Sequence, residues 1–233
     1  MQLHPYILLA LFLFAPGCAS NQMQPIDSLQ QILKNEQAQL VEAPLSAPAA
    51  PPSRRQGPPK LGLYVMPTGF LHHAFEWTDT DREALRTWTT GLQQEGLISG
   101  GSFLHLSSVK GNHWAQLRES ALRYGADLLL IINGTTAVNH YSNYKGTLLD
   151  WTILGSYYVD GTHSEALCLV RSTLWDVRQG TQLAEEEAQG TSTAVGPRAR
   201  IEDQAQVTEA RQQALAQLMK TLHDDIARAG KEH

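Results

Sequence analysis

Five consecutive large apolar residues, Leu128 to Ile132, dominate the stretch ADLLLIIN at 126–133. Successive side chains of a strand point to opposite faces, so a run that is apolar at every position leaves no face for water. Such a strand needs cover on both sides. A layered α/β fold with this run near the middle of its sheet satisfies that demand, and the flanking patterns agree with it.

KLGLYVMP at 60–67 is a β-type run stopped by Pro67. Thr80-Asp81-Arg82-Glu83 has the capping-box pattern, and Leu85, Trp88 and Leu92 follow at helical spacing before Gly96. SGGS at 99–102 reads as the turn into a second short strand, SFLHLSSV. Asn112 is placed to cap a second helix with the stripe Trp114, Leu117, Ala121 and Tyr124, and Gly125 is its stop. The order up to the central run is therefore β-α-β-α-β.

After the central run the period changes to two. WTILGSYYV and SEALCLV flank Asp160-Gly161, a strong hairpin signal, and STLWDV and TQLAEEEAQG flank Arg178-Gln179-Gly180. Asn133-Gly134 reads either as a further turn or as a bulge in one long strand. A last helix spans about 202–229, with Leu215, Leu218, Leu222 and Ile226 on one stripe. The predicted fold is α/β in two or three layers. It has a mixed sheet with a β-α-β-α-β start, an antiparallel meander and a long C-terminal helix, and a flexible tether precedes it.

The tether is read from composition. VEAPLSAPAAPPSRRQGPPK at 41–60 is too poor in apolar residues to bury a core, and its prolines favour extended backbone. Fully extended, residues 42–60 reach ~60 Å at about 3.1 Å per residue. Just before them, Ile26, Leu29, Leu33 and Leu40 recur at roughly helical spacing, compatible with a short docked helix.

At the N-terminus the apolar run Tyr6 to Phe14 has nine residues, the length of a secretory h-region; a bilayer span needs roughly 20. Ala15, Pro16 and Gly17 lead into Cys18, which matches the pattern of a bacterial lipobox, in which the cysteine is lipidated and the signal removed. An ordinary signal peptide cut near Ala15 or Ala19 is the alternative. The expected divisions are a lipoprotein signal at 1–17, a Pro/Ala/Gln-rich tether at 18–60 and one α/β domain at 61–229. Acyl chains on Cys18 supply the anchoring signals that stable membrane attachment needs. Ala19, not Asp, follows the cysteine, which by the sorting rule for such proteins directs it to the outer membrane, facing the periplasm.

Residues 1–17 carry no Lys, Arg, Asp or Glu, so the mature chain keeps the net charge of −5. That balance argues against nucleic acid as a partner. Cys168, the other of the two cysteines, sits among apolar neighbours with no adjacent His or basic residue to lower its pKa. No H-E-x-x-H, C-x-x-C or G-x-S-x-G spacing occurs, so no metal, cofactor or catalytic residue is assigned. Glu185, Glu186 and Glu187 read as a solvated strand end. HYSNYKGTLLDWTILGSYYV at 140–159 is the unusual segment, with Tyr141, Tyr144, Trp151, Tyr157 and Tyr158. Either it is a core strand and its approach, or Trp151, Tyr157 and Tyr158 form an aromatic lip for a partner, since Tyr and Trp suit half-wet contacts.

DWTILGSYYVDGTHSEALCLVRSTLWDVRQGTQL followed by Gly190-Thr191-Ser192, with YGADLLLII and LGLYVMP before it, resembles the rhombotarget lipoproteins. The resemblance implies a cell-envelope lipoprotein of unassigned activity, with no catalytic residues to carry over. By fold-level analogy, the lipid anchor and β-α-β-α-β start are similar to the periplasmic domain of the curli secretion lipoprotein. The expected function is a lipid-anchored binding or assembly protein that meets an unidentified envelope protein. The alternatives are a small envelope hydrolase with a dispersed His/Ser or His/Asp site near His140 and His163, and a subunit of a ring-shaped envelope complex.

Overall fold

The computed structural model describes residues 26–41, 57–66, 76–104, 113–142, 162–197 and 202–232. In chain order the elements are α1 (Ile26–Val41), β1 (Lys60–Val65), α2 (Asp79–Gln94), β2 (Gly100–Phe103), α3 (His113–Arg123), β3 (Leu128–Ser142), β4 (Thr162–Asp176), β5 (Thr181–Gly196) and α4 (Asp203–Glu232). The five strands form one sheet in the order β2-β1-β3-β4-β5. β1 pairs parallel with β2 and β3, whereas β3–β4 and β4–β5 are antiparallel. The expected mixed α/β architecture is therefore the one observed. No helix among the described residues is long and apolar enough to cross a membrane.

Strand alternation sorts the core into layers. Leu61, Leu63, Leu128, Leu130, Ile132, Cys168, Val170 and Leu174 face α2 and α4, meeting Leu85 and Leu92 of the first and Leu215, Leu218, Leu222 and Ile226 of the second. Tyr64, Leu129, Ile131 and Trp175 face the other way, onto Trp114, Leu117 and Ala121 of α3. The central run is thus buried on both faces, as its composition requires. A third, smaller cluster joins Leu29 and Leu33 of α1 to Leu167 and Leu169 of β4. The docked helix suggested by the leucine spacing is present over Ile26–Val41.

Several local expectations shift. The capping box sits two residues earlier than its sequence pattern suggests: Thr78 is the N-cap, its hydroxyl accepts from the Asp81 N–H, and Asp81 accepts from the Thr78 N–H. Gly100 and Gly101 belong to β2 and not to the turn before it. Tyr124 lies just past the end of α3, off its buried stripe, and is 54% exposed. Asn133-Gly134 is no turn, because β3 runs on without interruption, Asn133 opposite Arg171 and Gly134 opposite Val170.

The hairpin prediction divides. Arg178-Gln179-Gly180 does join two antiparallel strands. Asp176 Oδ1 accepts from the Arg178 and Gln179 N–H groups at 2.8 and 2.7 Å, and Gly180 takes φ +69°, a conformation costly for a residue with a Cβ. SEALCLV, by contrast, pairs with β3 on one side and β5 on the other. Residues 143–161, including WTILGSYYV and the Asp160-Gly161 turn, lie outside the described residues, as do Cys18 and the Pro-rich run at 42–56.

Candidate functional site

The far halves of β3, β4 and β5 project beyond β1, and the first turns of α4 lie across them. The alternative of a dispersed His/Ser or His/Asp site near His140 and His163 falls in this region. His140 and Ser164 are register partners in the antiparallel pair, so both side chains point to the α4 face. Asp203, in the first turn of α4, accepts from the Ser164 hydroxyl on Oδ1 at 3.0 Å and meets His140 Nε2 on Oδ2 at 3.0 Å. His163 is next to Ser164 in the strand and therefore points to the opposite face, away from His140.

The order of contacts decides what this trio can do. A nucleophilic serine needs a base positioned on its own proton, with the third group orienting that base. Here the carboxylate sits in the middle and takes the serine proton itself, and Ser164 is 0% exposed. The arrangement holds α4 to the sheet. Beside it, Ser192 Oγ lies 2.6 Å from both Gln206 Oε1 and Glu209 Oε2. The single hydroxyl proton of Ser192 serves one of these two acceptors at a time.

Further along, α4 is tied down by charge. Arg211 and Asp81 are 3% and 2% exposed, and Arg211 Nε lies 3.1 Å from Asp81 Oδ2 without its N–H aligned on that oxygen, so the contact is ionic. Arg211 also donates to the Glu76 carbonyl at 2.9 Å. His223 reaches Glu95 at the end of α2 at 2.7 Å, and that hydrogen bond, then the one to Asp224, push its imidazole pKa up. Glu186 stands by Asp225 of α4; burial, then that neighbouring carboxylate, push its carboxyl pKa up.

The glutamate triplet is thus no solvated strand end. Glu185 and Glu187 lie on the other face of β5 and both pair with Arg171 of β4, whose side chain is 8% exposed. Asp203, Ser192, Arg171 and Arg211 were not singled out from the sequence for these roles. Two of them carried a signal: Ser192 closes the Gly-Thr-Ser motif, and Arg171 is a lone charge inside the apolar run LCLVRSTLW.

Cys168 lies in the core beneath α4. Burial pushes its thiol up to about 12, with Arg211 lowering it and Asp81 raising it. Only ~10⁻⁴ of such a thiol is thiolate at pH 8, so a thiol reagent should modify native Cys168 at least about 1,000-fold more slowly than the unfolded chain. Peptide mapping after timed alkylation, with and without urea, measures this; equal rates would place the thiol at the surface.

Trp151, Tyr157 and Tyr158 lie outside the described residues, as do His72, His73 and His105. Among the described residues no group of three or more His, Cys, Asp or Glu is placed to hold a metal ion. Fold and contacts together define a single-sheet α/β domain whose buried polar groups fasten helices to strands.

No family model and no curated protein matches this chain. Solved structures do. A neuraminyllactose-binding hemagglutinin homolog from Helicobacter pylori is similar at 13% identity and a TM-score of 0.44, over 80% of this chain and 97% of that one. Lipoprotein GNA1162 from Neisseria meningitidis is similar at 13% identity and 0.31, over 73% and 99%. A minor lipoprotein from Acinetobacter baumannii is similar at 11% and 0.35, over 73% and 91%. The loose structural likeness is thus to bacterial lipoproteins among others, at scores that carry across neither a residue's role nor an activity.

Proposed function

We propose that this protein is a lipid-anchored component of a bacterial cell envelope, held to the membrane through Cys18, whose α/β domain binds or assembles with an envelope protein. The carrying observation is the boundary at Cys18: a nine-residue apolar run, small residues and a cysteine stand before a chain that goes on to a layered, helix-covered domain. The resemblance to rhombotarget lipoproteins supports the same reading. Ala19 supports the inner leaflet of the outer membrane as the site of attachment, with the domain facing the periplasm. Trp151, Tyr157 and Tyr158 are the proposed partner contact, because aromatic residues with polar tips anchor interfaces out of proportion to their number.

The test is the intact mass of the protein from the membrane fraction, set against Cys18→Ser. A mature N-terminus at Cys18 with added acyl mass is expected, and the substitution should abolish both that mass and membrane retention. In the same fraction, a photo-crosslinking residue at position 151 should yield an adduct with a second protein. A chain cut elsewhere and free of lipid would overturn the anchor, and absence of an adduct would overturn the aromatic contact.

A further inference from the structure

Two acids that are far apart in the chain meet where α4 crosses β5. Glu186 is the register partner of Ser172, on the face of the sheet that α4 covers, and its carboxyl lies within hydrogen-bond reach of Asp225 in the last third of α4. Asp225 is 5% exposed. Its Oδ1 accepts from the Arg228 guanidinium at 2.5 Å, whereas its buried Oδ2 has no donor among the described residues. Two ionised carboxyls in such a place repel each other, and the loss of water strengthens the repulsion.

The surrounding groups leave that repulsion standing. Arg228 favours ionisation of Glu186 as well, but its side chain is 71% exposed and water screens it. Glu185 adds like charge from the next position in the strand; with Glu187 it pairs with Arg171 on the opposite face. Ser172 of β4 is uncharged and fully buried, and its hydroxyl has no partner among the described residues. On α4 itself, His223 and Asp224 engage each other, and His223 engages Glu95 at the end of α2. A proton is what the arrangement asks for. Placed on Glu186, it gives Asp225 Oδ2 a donor and leaves one negative charge beside Arg228. Burial and then Asp225 push the Glu186 carboxyl pKa up, in agreement with the geometry.

We propose that Glu186 and Asp225 form a proton-operated latch between β5 and the last third of α4. With one proton shared between the two carboxyls, the latch is closed. Without it, two carboxylates face each other and push the helix from the strand. Native Glu186 keeps its proton to higher pH than the unfolded chain does. The latch therefore contributes fully below the ordinary glutamate range, and the contribution is lost as pH rises through the raised value. The end of α4 passes the effect on: a Cβ at Gly230 would lie 4.0 Å from Pro59, the residue before β1, so the latch stands close to where the chain enters the sheet.

Urea unfolding of the full-length protein from about pH 4.5 to about pH 8 tests the latch, wild type against Glu186→Gln. The amide of this variant donates to Asp225 at every pH and carries no charge. The ratio of the variant's folding constant to that of wild type should rise at least about 3-fold across the range. A smaller rise would overturn the proposal. In an Asp225→Asn background the rise should fall to half or less on a logarithmic scale, because burial alone then holds the proton. An undiminished rise there would overturn the sharing. Carboxyl-carbon NMR of the wild type reads the same proton even where a variant fails to fold. Glu186 and Asp225 should register one common titration step above the ordinary glutamate range, and two separate steps within that range would overturn the latch. None of these readouts depends on lipid at Cys18 or on an envelope partner.

Discussion

Arg211→Ala is expected to cost about 3–5 kcal/mol, a large share of the roughly 5–15 kcal/mol by which a domain of this kind is stable. The guanidinium is the counter-charge of Asp81, and both side chains are almost fully buried between α4 and the start of α2. Removing it strands a carboxylate away from water and deletes the hydrogen bond to the Glu76 carbonyl. Urea unfolding followed by far-ultraviolet circular dichroism measures the loss. Arg211→Met combined with Asp81→Leu should recover part of it, since an apolar pair replaces a buried ion pair at little cost. Recovery stays incomplete because Asp81 also accepts from the Thr78 N–H and hydroxyl, and losing a cap costs about 1 kcal/mol. A single variant within 1 kcal/mol of wild type would mean that Asp81 is not desolvated.

Gly190→Ala is the second large effect, about 3 kcal/mol of destabilisation from a single methyl group. A Cβ at this position would lie 2.0 Å from the Ala210 carbonyl oxygen and 2.7 Å from the Ala214 nitrogen. Both are backbone atoms of α4, so no side-chain rotation relieves the clash and the helix itself must lift. That helix carries Leu215, Leu218, Leu222 and Ile226 into the core. The same change at Gly91, inside α2 and with nothing within 4 Å of its Cβ position, should stabilise by about 0.4–1 kcal/mol. Thermal unfolding of the two variants side by side should give opposite signs. Equal small shifts would show that α4 does not rest on β5 at Gly190.

Gly190 also accounts for the Gly-Thr-Ser motif that the sequence displays without explanation. Glycine admits the helix backbone, and Ser192 two residues on, pointing to the same face, fixes Gln206 and Glu209. The motif is a seat for α4. The trio His140, Ser164 and Asp203 continues that seat across β4 and β3.

What the sequence by itself determined are the properties that repeat over a few residues. The apolar run at 128–132 demanded cover on two faces, the stripes of α2 and α4 identified their buried sides, and Arg178-Gln179-Gly180 specified a tight turn. Each rests on helical or strand periodicity or on local backbone chemistry, so neighbours in the chain suffice to reveal it. Only the tertiary structure decided which strand lies beside β4, why Asp81 and not Glu83 completes the cap, and that the three glutamates are divided between Arg171 and Asp225. It also placed Asp203 beside two residues 63 and 39 positions away. Strand partners and buried charges are chosen by distance in space, because a register is set by the whole face it buries and an ion leaves water only where its counter-ion already stands.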